Sequence, residues 1–332
     1  MFQAMSRIGR RRAARAAAAL LVVSGLLLWW LLPLEEPGPR GAVTFSTGLP
    51  SGVYERYGSL LKAELGRDLP EVRVTLRDSA GSKENIARVA NGGAHFTIAT
   101  ADAVAKYQQD GGPQADRLRG CARLYDDYIQ LVVPGDSRVK EIGDLRGLTV
   151  GIGQERSGVR LVTERLLEAA GINPAKDITA VPEGIDTVPR LLEQGRMDAF
   201  FWSGGLPTTA ITDLSRRTPI RLVPLRPKLV DTIHATTGPT GHYRQAVVPT
   251  DAYDHDGNDA PVPTMAVANL LVTTDRMEKD LVEGFTRTVI RSRDRIGDKV
   301  HAAQRVDLRT AIYTDPLELH RGAQRYYISE KP

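Results

Sequence analysis

The sequence predicts an α/β fold of two lobes, each built on a largely parallel sheet. Three observations carry this. Strand-like and helix-like segments alternate from residue 43 onward, the order that lays helices against a parallel sheet. The alternation comes in two series, the second starting near Leu148. The 332 residues exceed one ordinary domain and fit two.

The first series opens with Val43 to Ser46, a short β-type run ending in the loop Gly48-Leu49-Pro50-Ser51-Gly52. Apolar residues Val53, Tyr57, Leu60, Leu61 and Leu65 then keep a helical period. Val72 to Leu76 reads as a strand, Ser82 to Asn91 as a helix with Ser82 at its N-cap, and Phe96 to Thr100 as a short apolar strand before a helix at Ala101. Leu124 to Pro134 is a longer strand pattern closed by its proline. The second series begins with Leu148 to Gly153 as a strand, and Ser157 opens a helix with Val159, Val162, Leu166 and Ala169 at helical spacing. Gly171 stops it in the C-cap position. Ile178 to Val181, a helix around Thr187 to Gln194, a strand at Asp198 to Trp202 and Ile220 to Leu225 complete the series. Arg226 to Asp259, rich in Gly, Pro, Asp and His, reads as irregular. Thr264 to Val272 returns as a strand, and a helix follows from about Asp275 to Ile296. Packing this last part on the first lobe makes that lobe discontinuous. Lobe one is then 43–134 with about 246–332, and lobe two about 135–245.

Charge narrows the class. The net charge is +4, but Arg7, Arg10, Arg11, Arg12 and Arg15 lie in the first fifteen residues. Without them 39 basic residues face 40 acidic ones, so the folded part is near neutral and no basic run points to nucleic acid. A lone cysteine, Cys121, forms no intramolecular disulfide, and its apolar neighbours mark a buried small residue.

The basic tail 1–15 precedes an apolar run, Ala16 to Leu34, broken only by Ser24 and Gly25. About 20 apolar residues cross a bilayer, and Trp29 and Trp30 suit its outer interface. Residues 16–34 are expected to act as a signal-anchor in the lipid bilayer, or as a cleaved signal peptide. Residues 35–42 form a Pro/Gly linker, and 40–332 lie on the extracytoplasmic face of the membrane, or are secreted if the signal is cleaved.

Two loops share one physical design. Ser51-Gly52-Val53 and Ser157-Gly158-Val159 each follow a strand and open a helix, one in each series. Free backbone N–H groups and the helix dipole make such ends suited to anions. Facing each other, they would clamp a small anion; the alternative is two ordinary capped helices. Ser82 starts a third helix after Ser79-Ala80-Gly81, and Trp202-Ser203-Gly204-Gly205 follows another strand.

In order along the chain, these pieces resemble the TAXI-type substrate-binding proteins of TRAP transporters. The matching segments are Thr47-Gly48 with Ser51-Gly52-Val53-Tyr54, Ala80 to Asn85, Ile98 to Asp102 and Leu124 to Val133. Gly143 to Gly147, Val150 to Gly153, Ser157-Gly158, Met197 to Phe201, Gly204 to Pro207 and Leu319 to Tyr327 continue the series. The resemblance spans about 43–328 and implies a two-lobed periplasmic-binding-protein-like fold with a ligand cleft between lobes. It implies a monomer without cofactor that binds a small carboxylate, such as glutamate or a 2-oxo or dicarboxylic acid, and delivers it to a TRAP-type permease. A receptor feeding a sensor kinase is the alternative partner arrangement.

Carried over by position, the ligand contacts are Gly48, Ser51, Gly52, Val53 and Tyr54 on lobe one, with Ser82, Thr100 and Asp102 bordering the cleft. Asp102 reads more as a helix-start residue. Tyr128 and Gln130 lie on the strand towards lobe two, where Ser157, Gly158, Val159, Trp202 and Gly205 face the first set. Arg156 is either a cation for a carboxylate or a solvated loop charge. Glu55, Thr100, Ala101 and Val159 depart from the family pattern and bear on the ligand more than on the fold.

Enzyme chemistry finds no support. There is no G-x-S-x-G elbow, the six histidines show no metal-ligand spacing, and the Gly-rich loops match neither a P-loop nor a dinucleotide fingerprint. The acidic segment 254–259 lacks EF-hand spacing and reads as an exposed polar loop.

Overall fold

The computed structural model describes residues 15–25, 27, 38–237, 242–253 and 260–331. The basic tail up to residue 14, residues 35–37 of the linker and the acidic segment 254–259 lie outside them. Residues 15–25 are helical, and among the described residues no helix is long and apolar enough to cross a membrane. Of the expected anchor over 16–34, residues 16–25 and 27 are described and the rest lie outside the described residues.

Residues 39–332 form one compact unit. Its strands and helices begin β1 (Gly41–Ser46), α1 (Val53–Asp68), β2 (Val72–Arg77), α2 (Ser82–Ala90), β3 (Phe96–Thr100) and α3 (Ala101–Gln109). β4 (Leu118–Pro134), β5 (Thr149–Gly151), α4 (Gly158–Ala169), β6 (Thr179–Val181), α5 (Val188–Glu193) and β7 (Ala199–Gly204) follow. Then come α6 (Thr209–Arg217), β8 (Ile220–Val223), α7 (Pro227–Thr237), β9 (Tyr243–Val248), β10 (Val262–Thr274) and α8 (Lys279–Arg291). Short helical turns lead to α9 (Arg321–Ser329).

The segment expected to be irregular after Arg226 contains α7 and β9. Pro227 occupies the start of α7, where its missing N–H costs nothing. The expected helix to Ile296 breaks at Ser292, which ends α8 and caps a short turn.

The strands run β2-β1-β3-β10-β4-β7-β5-β6, with β8 on β4 and β9 on β10. β1 pairs in parallel with β2 and β3, and β5 with β6 and β7. Two long antiparallel strands join these sets. β4 pairs with β10 up to Tyr128, and from Tyr128 to Pro134 it pairs with β7 and β8. β10 pairs with β9 over Val262 to Val267, and with β3 from Asn269 to Val272. Partner exchange therefore takes place inside both strands, whereas the sequence suggested lobe boundaries after Pro134 and near residue 246. A register shift between Ala268 and Leu270 marks the exchange in β10, and such irregularities bend a strand.

Each lobe buries its own core. On lobe one, α1 turns Tyr57, Leu61, Glu64 and Leu65 inward, one stripe of a helix. Tyr57, Leu61 and Leu65 join Phe45, Phe96, Cys121 and Phe285, and Glu64 pairs with Arg67 and Arg295. Cys121 is fully buried, and burial pushes its thiol up and out of reach of ionisation. Phe96 and Phe285 stack at 4.1 Å between ring centroids, pinning α8 to β3. Phe285→Ala is expected to destabilise the fold by about 3–5 kcal/mol; an unchanged chemical denaturation midpoint would refute this contact's weight. On lobe two, Val162 and Leu166 of α4 pack with Val150, Phe201 and Leu131.

Candidate functional site

A cavity of about 60 Å³ lies where the helix-opening loops of both lobes meet. Strand-to-helix turns bring three of its walls together. Gly48, Gly52, Val53 and Tyr54 come from the turn into α1, Gly81 and Ser82 from the start of α2, and Ser157, Gly158 and Val159 from the start of α4. Thr100, the N-cap of α3, completes the polar end. Trp202 closes a side, its Nε1–H held by Thr208 Oγ1 at 2.9 Å.

The local sequence dictates these turns. Gly81 and Gly153 have φ of +130° and +82°, a region that L side chains seldom adopt. A Cβ on Gly153 would also lie 2.8 Å from Val159 and 2.9 Å from the Arg160 nitrogen. Ser157 caps α4: its hydroxyl accepts from the Arg160 N–H at 3.0 Å and donates to the Gln154 carbonyl at 2.7 Å. That leaves the N–H groups of Gly158 and Val159 without a partner among the described residues. Gly52 rather than Ser51 is the N-cap of α1, and Gly81 rather than Ser82 that of α2.

Ten of the sixteen expected residues line this cavity: Gly48, Gly52, Val53, Tyr54, Ser82, Thr100, Ser157, Gly158, Val159 and Trp202. Six do not. Ser51 is exposed and bonds Asp186 across the lobes, its N–H lying 3.1 Å from Oδ1. Asp102 is buried behind the cavity, where Tyr243 donates to it at 2.5 Å and Arg165 at 3.3 Å. Tyr128 faces a second hollow beside Pro207 and Arg244. Gln130 accepts from the Tyr253 hydroxyl at 2.6 Å. Gly205 is packed so closely that a Cβ would lie 2.6 Å from Ala302. Arg156 is exposed, with φ of +67°, and its carbonyl accepts from the Glu84 N–H at 3.0 Å. Of the two readings of Arg156, the solvated loop charge fits this placement.

The important addition is Asp127, which lines the cavity and is 3% exposed. It lies on β4 beside the point of partner exchange. Its Oδ1 accepts from Asn269 Nδ2 at 2.6 Å, and the Ser203 hydroxyl approaches Oδ2 at 3.4 Å. Burial pushes its carboxyl up to about 7, aided by the charges of Asp126 and Asp102 and opposed by the bonds from Asn269 and Ser203. The Tyr54 hydroxyl donates to Asn269 Oδ1 and lies 3.1 Å from Ser82 Oγ. Burial and then Asp127 hold the Tyr54 phenol well above its ordinary range, so it stays a donor. Ser82 Oγ in turn accepts from the Thr100 N–H at 3.1 Å. Hydrogen bonds thus run donor to acceptor from the Thr100 N–H through Ser82, Tyr54 and Asn269 and end on Asp127. The Thr100 hydroxyl is buried and has no partner among the described residues.

The sequence held a signal for Asp127. Alternation along β4 puts Tyr125, Asp127, Ile129 and Leu131 on one face and Tyr128 and Gln130 on the other. A carboxylate in phase with that apolar set stands out, and the expected Tyr128 and Gln130 are one residue out of phase.

Three solved structures share this architecture. A protein of Bordetella bronchiseptica RB50 matches with TM-score 0.51 at 15% identity, covering 90% of this chain and 92% of that one. An ancestral arginine-binding protein bound to arginine gives 0.51 at 14% identity, covering 79% and 98%. A candidate L-cystine ABC transporter protein of Listeria monocytogenes gives 0.50 at 13%, covering 80% and 98%. Identities this low speak for the fold alone, a two-lobed α/β periplasmic-binding-protein fold. Family membership comes from sequence: residues 45–330, the whole span from β1 to α9, match the NMT1-like family, and the chain belongs to it.

Proposed function

We propose that the chain is an extracytoplasmic solute-binding protein, not an enzyme, which closes its two lobes on a small carboxylate. The observation that carries this is the meeting of helix starts from both lobes in one cavity, with free N–H groups on Gly158 and Val159 and the unpartnered Thr100 hydroxyl beside them. Such an end binds carboxylate through its backbone donors and dipole. Contacts to both lobes make the ligand favour the closed arrangement. Neighbours in fold include an arginine-binding protein and a candidate L-cystine ABC transporter protein, and both arginine and L-cystine carry a carboxylate.

The recipient is a membrane permease. The ordered motifs from Thr47 to Tyr327 favour the TRAP type, and residues 16–34 would hold the protein at the membrane. The test is a thermal-shift panel on the purified full-length chain with amino acids, 2-oxo acids, dicarboxylates and an uncharged sugar. A carboxylate ligand at 100 times its Kd stabilises by about 2.7 kcal/mol, so a rise of several degrees is expected. A shift with the sugar alone would sink the carboxylate assignment.

A further inference from the structure

We propose that the ligand is a zwitterion, an α-amino acid with a small uncharged side chain, whose ammonium group is bound by Asp127. The inference rests on the small-carboxylate reading above and narrows it. Three observations carry it. First, the carboxylates lining the cavity are Asp127 and Glu183; among the described residues no Lys, Arg or His lines it. A ligand with two carboxylates would bring a second negative charge towards two acidic side chains with no cation to match it.

Second, the cavity is polarised. Its donor end holds the first-turn N–H groups of α4 and the buried, unpartnered Thr100 hydroxyl. The hydrogen-bond series from Thr100 runs through Ser82, Tyr54 and Asn269, donor to acceptor at each step, and terminates on Asp127 Oδ1. Asp127 Oδ2 has only the long 3.4 Å contact from Ser203, so it keeps acceptor capacity for a ligand donor. A carboxylate at one end and an ammonium at the other satisfy both ends at once. The groups facing Asp127 are Asn269, Ser203 and Tyr54, with Asp126 and Asp102 as the neighbouring charges. None is cationic, and an incoming ammonium would lower the carboxyl that burial raises.

Third, most of the remaining wall is apolar: Val53, Val159, Ile185, Val188, Phe201 and Trp202, with Gln154 as a neutral amide. It offers an uncharged ligand side chain a largely dry surface and no cation for a second carboxylate.

The experiment is isothermal titration of the full-length chain with neutral aliphatic amino acids (L-alanine, L-valine, L-leucine), the 2-oxo acid of each skeleton, L-glutamate and 2-oxoglutarate. The expected result is binding of at least one neutral amino acid, at least about tenfold tighter than its 2-oxo partner and than either glutamate-type ligand. Asp127→Asn should weaken that amino acid by at least about tenfold and shrink its advantage over the 2-oxo acid. Equal or tighter binding of a 2-oxo acid or dicarboxylate overturns the zwitterion while keeping the carboxylate reading. So does an Asp127→Asn variant with the preference intact. Failure of every carboxylate to bind sinks both. The wild-type comparison of amino acid with 2-oxo acid decides the matter even where the variant does not fold.

Discussion

A leucine in place of Gly158 is expected to abolish ligand capture while leaving the unliganded protein folded. Gly158 opens α4 on lobe two, and a Cβ there would already lie 3.0 Å from Ser82 Oγ and 3.3 Å from Thr100 Oγ1 on lobe one. Three further carbons have nowhere to go except into the cavity or between the lobes. Overpacking of this kind costs roughly 1–3 kcal/mol, and here it adds to the loss of the ligand's own space. The expected loss of affinity is on the order of 100-fold or more. Alanine at the same position meets only a tight contact and should lose far less. Calorimetric titration with the ligand found by thermal shift reads the effect. A leucine variant of unchanged affinity would mean that the start of α4 is an ordinary helix end.

The second large effect is a pH dependence centred on Asp127. Its carboxyl is raised from 3.8 to about 7 in the fold by burial. Between those two values the unfolded chain has released this proton and the folded chain retains it. The folded state therefore binds more protons there, and stability falls as pH rises through the interval. A tenfold change in proton affinity corresponds to about 1.4 kcal/mol, so the ionised side chain costs the protein a few kcal/mol. Asp127→Asn removes the titrating group. Its melting temperature should exceed that of the wild type by several degrees at pH 8, with the gap closing towards pH 4. Parallel melting curves for the two proteins across that range would refute the assignment. The comparison with the variant matters because Glu64 and Glu84, held low in the fold, act with the opposite sign in acid.

The features legible in the sequence were those with a strong local cause. Phe96–Thr100 is buried at every position, so a short run of apolar residues and threonines sufficed to find β3 to the residue. Ser157 caps α4 as its position in the loop indicated, because the signal is one hydroxyl and one N–H three residues on. What escaped was set at longer range. The first six residues of β4, Leu118 to Arg123, include two arginines and a glycine and become a strand by pairing with β10. α7 buries Val230 and Ile233 on one face within a segment whose prolines and glycines conceal the period. Continuous strands carry no break at the crossing between lobes, so no local pattern marks where the partners change. The site followed the same rule. Backbone donors at helix starts were readable from Ser-Gly spacing. The acidic partner depended on strand phase, and Asn269, which orients it, lies 142 residues away along the chain.

The placement of Asn269 also bears on mechanics. It sits within the register shift of β10, as the first residue that pairs with β3 and just past the stretch that pairs with β9. Its amide joins Tyr54 at the mouth of α1 to Asp127 on the other crossing strand. The contact that orients Asp127 is therefore also a bolt between the two strands that join the lobes. Any bending that separates the lobes must shear that bolt or carry it along, and a charge arriving at Asp127 loads the axle itself rather than the jaws.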